Sequence, residues 1–187
     1  MKKFINDYFP NANNSSYKHV HKYLVLNIFK YISKTCNTTT QRYFKFEDKL
    51  EGEYKLYNND QPYMECVFKH DHLNGNVKKW HVNGQLKYNG NYKNDIPHDE
   101  HVHYNIDGQI MFVRDYTEDG SIISRRYDSG HLIYQSIRND ARTVVIVEWY
   151  ITGQLKRECV ISNNEVMVNK YHNLHNISTD ERYCIIL

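Results

Sequence analysis

The sequence predicts a mainly β protein, a single elongated, twisted sheet of antiparallel hairpins preceded by an amphipathic α-helix. Three observations carry this expectation. An aromatic residue, a turn and an apolar residue recur at a nearly constant interval. Turn-forming residues hold fixed places inside each copy, and apolar and polar residues alternate between the turns.

The repeat is plainest in "WHVNGQL" (Trp80–Leu86), "YNIDGQI" (Tyr104–Ile110) and "WYITGQL" (Trp149–Leu155). Weaker copies are "YNNDQPY" from Tyr57, "YHNLHNI" from Tyr171 and "RYDSGHL" from Arg126, the last with its aromatic displaced to Tyr127. The frames start at 57, 80, 104, 126, 149 and 171, so successive intervals are 23, 24, 22, 23 and 22 residues. Chance rarely spaces six matches so evenly, and a fixed period in this range marks a repeat architecture. Each period has a second half, seen in "FKHDHLNG" from Phe68, "YKNDIPHD" from Tyr92 and "YTEDGSII" from Tyr116. One period therefore holds two strands and two turns.

Asn83-Gly84 and Asp107-Gly108 are expected to take positive φ at both central positions of a type I′ turn, whose twist matches the strands it joins. In "GQLKYNGNY" Leu86 and Tyr88 share one face and Lys87 points away. In "TVVIVEWY" Val145, Val147 and Trp149 lie on one face, and Val144 and Ile146 make the other face apolar too.

With these residues in view, the unit resembles the MORN repeat. The matching variant has half-repeats that read aromatic-x-x-Asn-Gly-x-Leu-Lys and aromatic-x-Asn-Gly-x-x-His-Gly. Trp80 to Lys87 matches the first half throughout, and Trp149 to Lys156 matches with Thr152 in the Asn place. Tyr92, Asn94 and His98 match the second half, with Asp95 and Asp99 standing where the pattern has glycine. The resemblance covers roughly residues 52–180. It implies a meander of hairpins, free-standing scaffolds or accessory modules, and relatives among bacterial antitoxin-like proteins and large DNA viruses. The richness in Asn, Lys, Ile and Tyr is similar to the viral members.

Residues 1–44 stand outside the repeat, 45–180 form the array of six units, and 181–187 are a tail or cap. In "SSYKHVHKYLVLNIFKYISK" Val20, Tyr23, Leu24, Ile28, Tyr31 and Ile32 follow helical spacing, with Ser15 or Ser16 as N-cap. Such a helix either caps the first hairpin or docks on a partner.

The totals bound the function. At 187 residues the chain fits one domain with a small extension. A balance of 24 Lys and Arg against 22 Asp and Glu argues against a dedicated nucleic-acid binder. Cys36, Cys66, Cys159 and Cys184 lie far apart, with neither zinc nor redox spacing. The N-terminus lacks the apolar core of a secretory signal, so the expected compartment is the cytoplasm, that of a host cell or the virion for a viral protein.

No nucleophile elbow, phosphate-binding loop or dinucleotide glycine pattern occurs, so neither an enzyme nor a cofactor is expected. His101 and His103 share a strand face, within reach of one ion, but four well-placed ligands are wanting and no metal site is assigned. What remains is surface. Trp80, Tyr104, Tyr127 and Trp149 form a candidate aromatic ladder for binding. The expected function is a non-catalytic scaffold with a protein partner. A second reading is a module that meets acidic lipid through Lys78, Lys79, Lys87 and Lys93, and a third is an antitoxin-like inhibitor. Pairing of terminal hairpins offers a route to homo-oligomers.

Overall fold

The computed structural model describes residues 29–139, 142–173 and 176–181. Every regular element in them is a strand. In chain order these are β1 (Phe29–Cys36), β2 (Thr39–Phe46), β3 (Lys49–Asn58), β4 (Gln61–Lys69) and β5 (His72–Leu73). Then come β6 (Gly75–Trp80), β7 (Leu86–Lys93), β8 (Ile96–Tyr104), β9 (Ile110–Tyr116) and β10 (Ile122–Asp128). The last five are β11 (His131–Arg138), β12 (Thr143–Trp149), β13 (Leu155–Ser162), β14 (Glu165–Asn173) and β15 (Asn176–Glu181). All pair antiparallel with their chain neighbours in one open sheet, except that β6 follows β4 and the short β5 pairs only with β4. The expected meander is what the chain forms.

Residue 44 falls inside β2, and residues 29–34 of the stretch read as helical belong to β1. Asn37 takes φ 53° and starts a tight turn. Tyr31 lies opposite Phe44 with ring centroids 5.2 Å apart. Cross-strand aromatic pairing thus overrides helical spacing in this short apolar run. The rest of the expected helix, with Ser15 and Ser16, lies outside the described residues, as do residues 182–187.

The turns fall into two kinds, and the assignment to type I′ is corrected. In the loop after Trp80, His81 O accepts from Gly84 N at 3.0 Å and His81 N donates to Gln85 O at 2.8 Å. Gly84 has φ 84°, while Asn83 is absent from the left-handed region. This is a three-residue loop, a type I turn followed by a glycine bulge. Asn105–Gln109, Thr117–Ser121 and Tyr150–Gln154 repeat it bond for bond. Positive φ at both central residues occurs instead in pairs mostly without glycine: Glu47-Asp48, Asn59-Asp60, His70-Asp71, Asn94-Asp95 and Asn163-Asn164. Asn and Asp tolerate this region because their short polar side chains bond locally. Asp95 at φ 66° and Asp99 at φ 61° thus hold the backbone shape for which the repeat pattern uses glycine.

The sequence period has a structural counterpart. Register shifts occur between Leu56 and Tyr57, Lys79 and Trp80, His103 and Tyr104, Arg126 and Tyr127, and Glu148 and Trp149. Each frame aromatic therefore marks a β-bulge, and its apparent displacement to Tyr127 is the bulge's own position. The extra residue left between paired ones is Tyr63, Lys87, Met111, Ile133 or Lys156. Bulges at every period add twist to the sheet.

Successive turns on one end of the sheet are bonded to each other about one period apart. Asp71 N donates to Leu50 O at 3.1 Å, and Leu50 N donates back to the Asp71 carboxylate at 2.6 Å. Asp95 repeats the clamp on Leu73, with 2.9 Å and 2.7 Å for the same two bonds, and adds a 2.6 Å contact to the His72 ring. The His72 bond, then the Leu73 N–H, hold the Asp95 carboxyl below the ordinary aspartate value. A depressed folded value means that the clamp contributes fully above the unfolded pKa and is lost as pH falls through the folded one. Hydrogen-exchange protection of the Leu73 amide is expected to persist through the ordinary aspartate value of 3.8 and to fall only at lower pH. In Asp95→Ala it is expected to be low at every pH, and unchanged protection would remove the clamp from the account.

Candidate functional site

Directly opposed residues on antiparallel strands share a face, so rows perpendicular to the strands are the natural surfaces of this sheet. One row can be followed from β1 to β14. It runs Lys34, Gln41, Leu56, Met64, Lys79, Tyr88, His103, Phe112, Arg126, Tyr134, Glu148, Arg157 and Tyr171. Its composition follows from the repeat. The place before each frame aromatic is polar in four successive units: Lys79, His103, Arg126 and Glu148. Seven or eight residues after the frame aromatic come Tyr88, Phe112 and Tyr134. Hairpin pairing interleaves the two sets, so polar and aromatic side chains alternate from strand to strand.

The same face carries most of the core, while Val102 and Val113 are buried on the other. Two residues along each strand from the row lie Tyr43, Tyr54, Cys66, Val77, Gly90 and His101. Cys66, Val77 and Tyr88 are buried together, with Tyr54, Met64, Phe68, Leu73 and Tyr92 packed against them. Tyr43 stacks on Tyr54 at 5.7 Å, and Phe68 meets Tyr54 edge-on at 5.8 Å. Burial pushes the Cys66 thiol up to about 11, against a smaller opposing pull from Lys79. That thiol stays protonated at neutral pH and is no nucleophile.

At the centre sits a histidine with a full set of bonds. His101 is 4% exposed. Its Nε2 lies 2.7 Å from Asn91 O and its Nδ1 lies 2.8 Å from Tyr88 Oη, which is 3.0 Å from Tyr92 Oη. A carbonyl only accepts, so Nε2 carries the proton and Nδ1 accepts from Tyr88. Tyr92 in turn donates to Tyr88. Burial holds the Tyr88 hydroxyl far above the ordinary tyrosine range. Both His101 nitrogens are thus committed to protein atoms. His103, the other member of the "HVH" pair, packs on Tyr88 at 4.8 Å and Phe112 at 5.8 Å. Among the described residues no group of three metal-ligating side chains converges.

Gly90 makes this arrangement fit. A Cβ built there would lie 2.4 Å from Tyr88 Oη and 2.8 Å from His101 Cγ. The register shift between Asn89 and Asn91 brings His101 over the glycine.

The residues singled out from sequence are distributed differently from expectation. Trp80, Tyr104, Tyr127 and Trp149 are half-buried at the ends of alternate strands, and each faces an aliphatic partner: Leu86, Ile110, Leu132 or Leu155. Apart from the Tyr31–Phe44 pair, the observed ring-on-ring contacts lie on the Tyr88 face instead. Of the four lysines, Lys78 and Lys79 are neighbours on β6 and point to opposite faces. Lys87 is a bulge residue, and Lys93 ends β7 about 20 Å farther along, at ~3.4 Å per residue. They do not form one patch. The polar–aromatic row escaped sequence reading because its two halves come from different places in the repeat. The recurring aromatic at 88, 112 and 134 was the available signal.

Tyr88→Phe leaves buried Nδ1 of His101 without its donor. It is expected to lower unfolding stability by about 1–3 kcal/mol in denaturant titration, and a neutral result would overturn the bonding scheme. Gly90→Ala is expected to cost more than that. Gly120→Ala serves as its control: at φ 83° with nothing near its Cβ, it carries only the backbone term of about 1–2 kcal/mol.

No protein-family model matches the chain, and no curated protein matches it. Function is therefore argued from the chain's own geometry.

Proposed function

We propose that this chain is a non-catalytic scaffold of MORN-like repeats that binds a protein partner in the cytoplasm. One observation carries the reading. The three-residue loops at one end of the sheet place an exposed aliphatic residue at the same position: Val82 is 88% exposed, Ile106 49% and Ile151 48%. That loop position accepts most residue types, so the turn itself has no need of an aliphatic there. Tyr63, Ile110 and Met111 are exposed near the same end of the sheet. Single apolar residues on a surface are ordinary, but a recurring set marks a place where something binds.

The hairpin period, the bulge at each frame aromatic and the left-handed Asp95 and Asp99 support the repeat family. Support for a non-catalytic role comes from the interior. The Cys66 thiol stays protonated, and the buried His101 has both nitrogens bonded.

The test is capture of partners from the source cell on the immobilised full chain, compared with Val82→Ser/Ile106→Ser/Ile151→Ser. Substitutions at such exposed positions are expected to shift stability by no more than about 0.5 kcal/mol each. Specific proteins held by the wild type at moderate salt and lost from the variant are the expected result. Retention of the same proteins by the variant would remove the turn tips from the interface. Recovery of membrane lipid with no protein would overturn the scaffold reading.

A further inference from the structure

We infer that the polar–aromatic row is a docking strip for an extended acidic peptide segment of the partner, an inference that rests on the scaffold reading above. The row carries an excess of positive charge that the fold leaves unanswered. Lys79, Arg114 and Arg126 are exposed on this face, and none forms an ion pair among the described residues. Arg114 lies two residues from Phe112 on β9, diagonal to Arg126 across the β9–β10 pair. Between Lys79 and Tyr171 the one carboxylate on the row is Glu148, which Arg157 already holds at 3.6 Å. Lys55, by contrast, is answered by Glu53 at 3.3 Å and Glu65 at 3.8 Å.

The cations are also held in place by aromatic rings. Lys79 Nζ lies 5.6 Å from the Tyr88 ring centroid, and the Arg114 guanidinium 5.2 Å from that of Phe112. Arg126 lies 4.4 Å from Tyr134 and Arg157 5.4 Å from Tyr171. All four lie on one face, each within the roughly 6 Å at which a ring attracts a cation. A ring beneath a guanidinium limits its side-chain freedom before binding and leaves its N–H fork for a carboxylate. The same rings are covered by the cations, so they are poorly placed to stack on bases. This favours a carboxylate-rich peptide over single-stranded nucleic acid, and the near-neutral total charge points the same way.

Spacing sets the partner's length. Strands lie ~4.8 Å apart, so Lys79 and Arg126 are about 19 Å apart and Arg126 and Arg157 about 14 Å. A strip from Lys79 to Arg157 spans about 34 Å, the reach of about ten extended residues.

The probe is a fluorescein-labelled peptide of alternating glutamate and glycine, about ten residues long, followed by anisotropy on the full chain. A glutamine version, an oligothymidylate and phosphatidylserine vesicles are run beside it. Binding of the glutamate peptide alone at low salt is expected, weakened at least about tenfold in Arg114→Glu/Arg126→Glu. The charge-matched Lys78→Glu/Arg125→Glu, on the opposite face, is expected to leave it within about twofold. Arg114→Gln/Arg126→Gln repeats the test with a smaller charge change, and circular dichroism confirms that each variant is folded. A second readout is His103, whose pKa is held down first by burial and then by His101, Arg114, Lys79 and Lys87. Bound carboxylates are expected to raise it.

Equal loss in the two face variants would reduce the effect to general electrostatics and overturn the proposal. So would failure of the glutamate peptide to bind, or tighter binding of the oligothymidylate or the vesicles. The scaffold reading survives these outcomes if the serine variant at the turn tips still loses its partners.

Discussion

The sheet is one layer thick among the described residues, with no opposing layer to bury its side chains, and the rest of this structure follows from that constraint. Among the described residues nothing but strands and turns is present. Domains ordinarily close a core between two layers; here it is assembled within one. Tall side chains do this by leaning across neighbouring strands, as Tyr43, Tyr54, Phe68, Tyr88 and Tyr92 do. An aliphatic residue reaches only its immediate neighbours, whereas a tyrosine covers the next strand and keeps its hydroxyl at the edge. The tyrosines that lean across this face are thus a structural requirement of the architecture. His101 extends the device, an imidazole filling a core position because Gly90 admits it and Tyr88 and Asn91 satisfy both nitrogens.

A single layer also lacks the contacts that would hold its hairpins in register, and the turns supply part of them. The Asp71 and Asp95 clamps join one turn to the next on the same end of the sheet. On the other end His81 Nε2 meets Tyr104 O at 2.9 Å and Asn83 Nδ2 donates to Ile106 O at 2.8 Å. Side chains serve this purpose where glycine would leave the neighbouring backbone without a partner. Aspartate at 95 therefore does two things at once, accepting the left-handed backbone and satisfying an N–H of the preceding hairpin. A departure from the repeat pattern is in this case a gain of lateral bonding.

Much of the fold was legible because the repeat writes one hairpin many times. Six frame starts located the strands and put each turn within a residue or two. The turn chemistry was misread at Asn83-Gly84, since that dipeptide serves a two-residue and a three-residue loop alike. The choice between them is made by Gln85 bonding back to His81. Residues 29–34 were misread for a different reason. Tyr31 and Ile32 continue the helical spacing of Val20, Tyr23, Leu24 and Ile28, and only pairing between β1 and β2 decides for strand. His101 was visible as a candidate ligand, but its bonds to Tyr88 and Asn91 depend on a bulge that no local pattern announces.

The row from Lys79 to Tyr171 shows how a meander of this kind builds a linear surface. Strand order equals chain order, so each new unit adds the same two positions to the row and lengthens it by two strand spacings, about 10 Å. The first position contributes Lys79, His103, Arg126 and Glu148, and the second contributes Tyr88, Phe112, Tyr134 and Arg157. Changing one residue alters one point on the row and leaves the backbone ladder intact, because the bonds that define the sheet belong to the main chain. Surface chemistry can therefore vary along the array without refolding it. The aromatic positions are less free than the polar ones, since Tyr88 is also a core residue bonded to His101. The row is thus a fixed aromatic spine with variable charges between its rings.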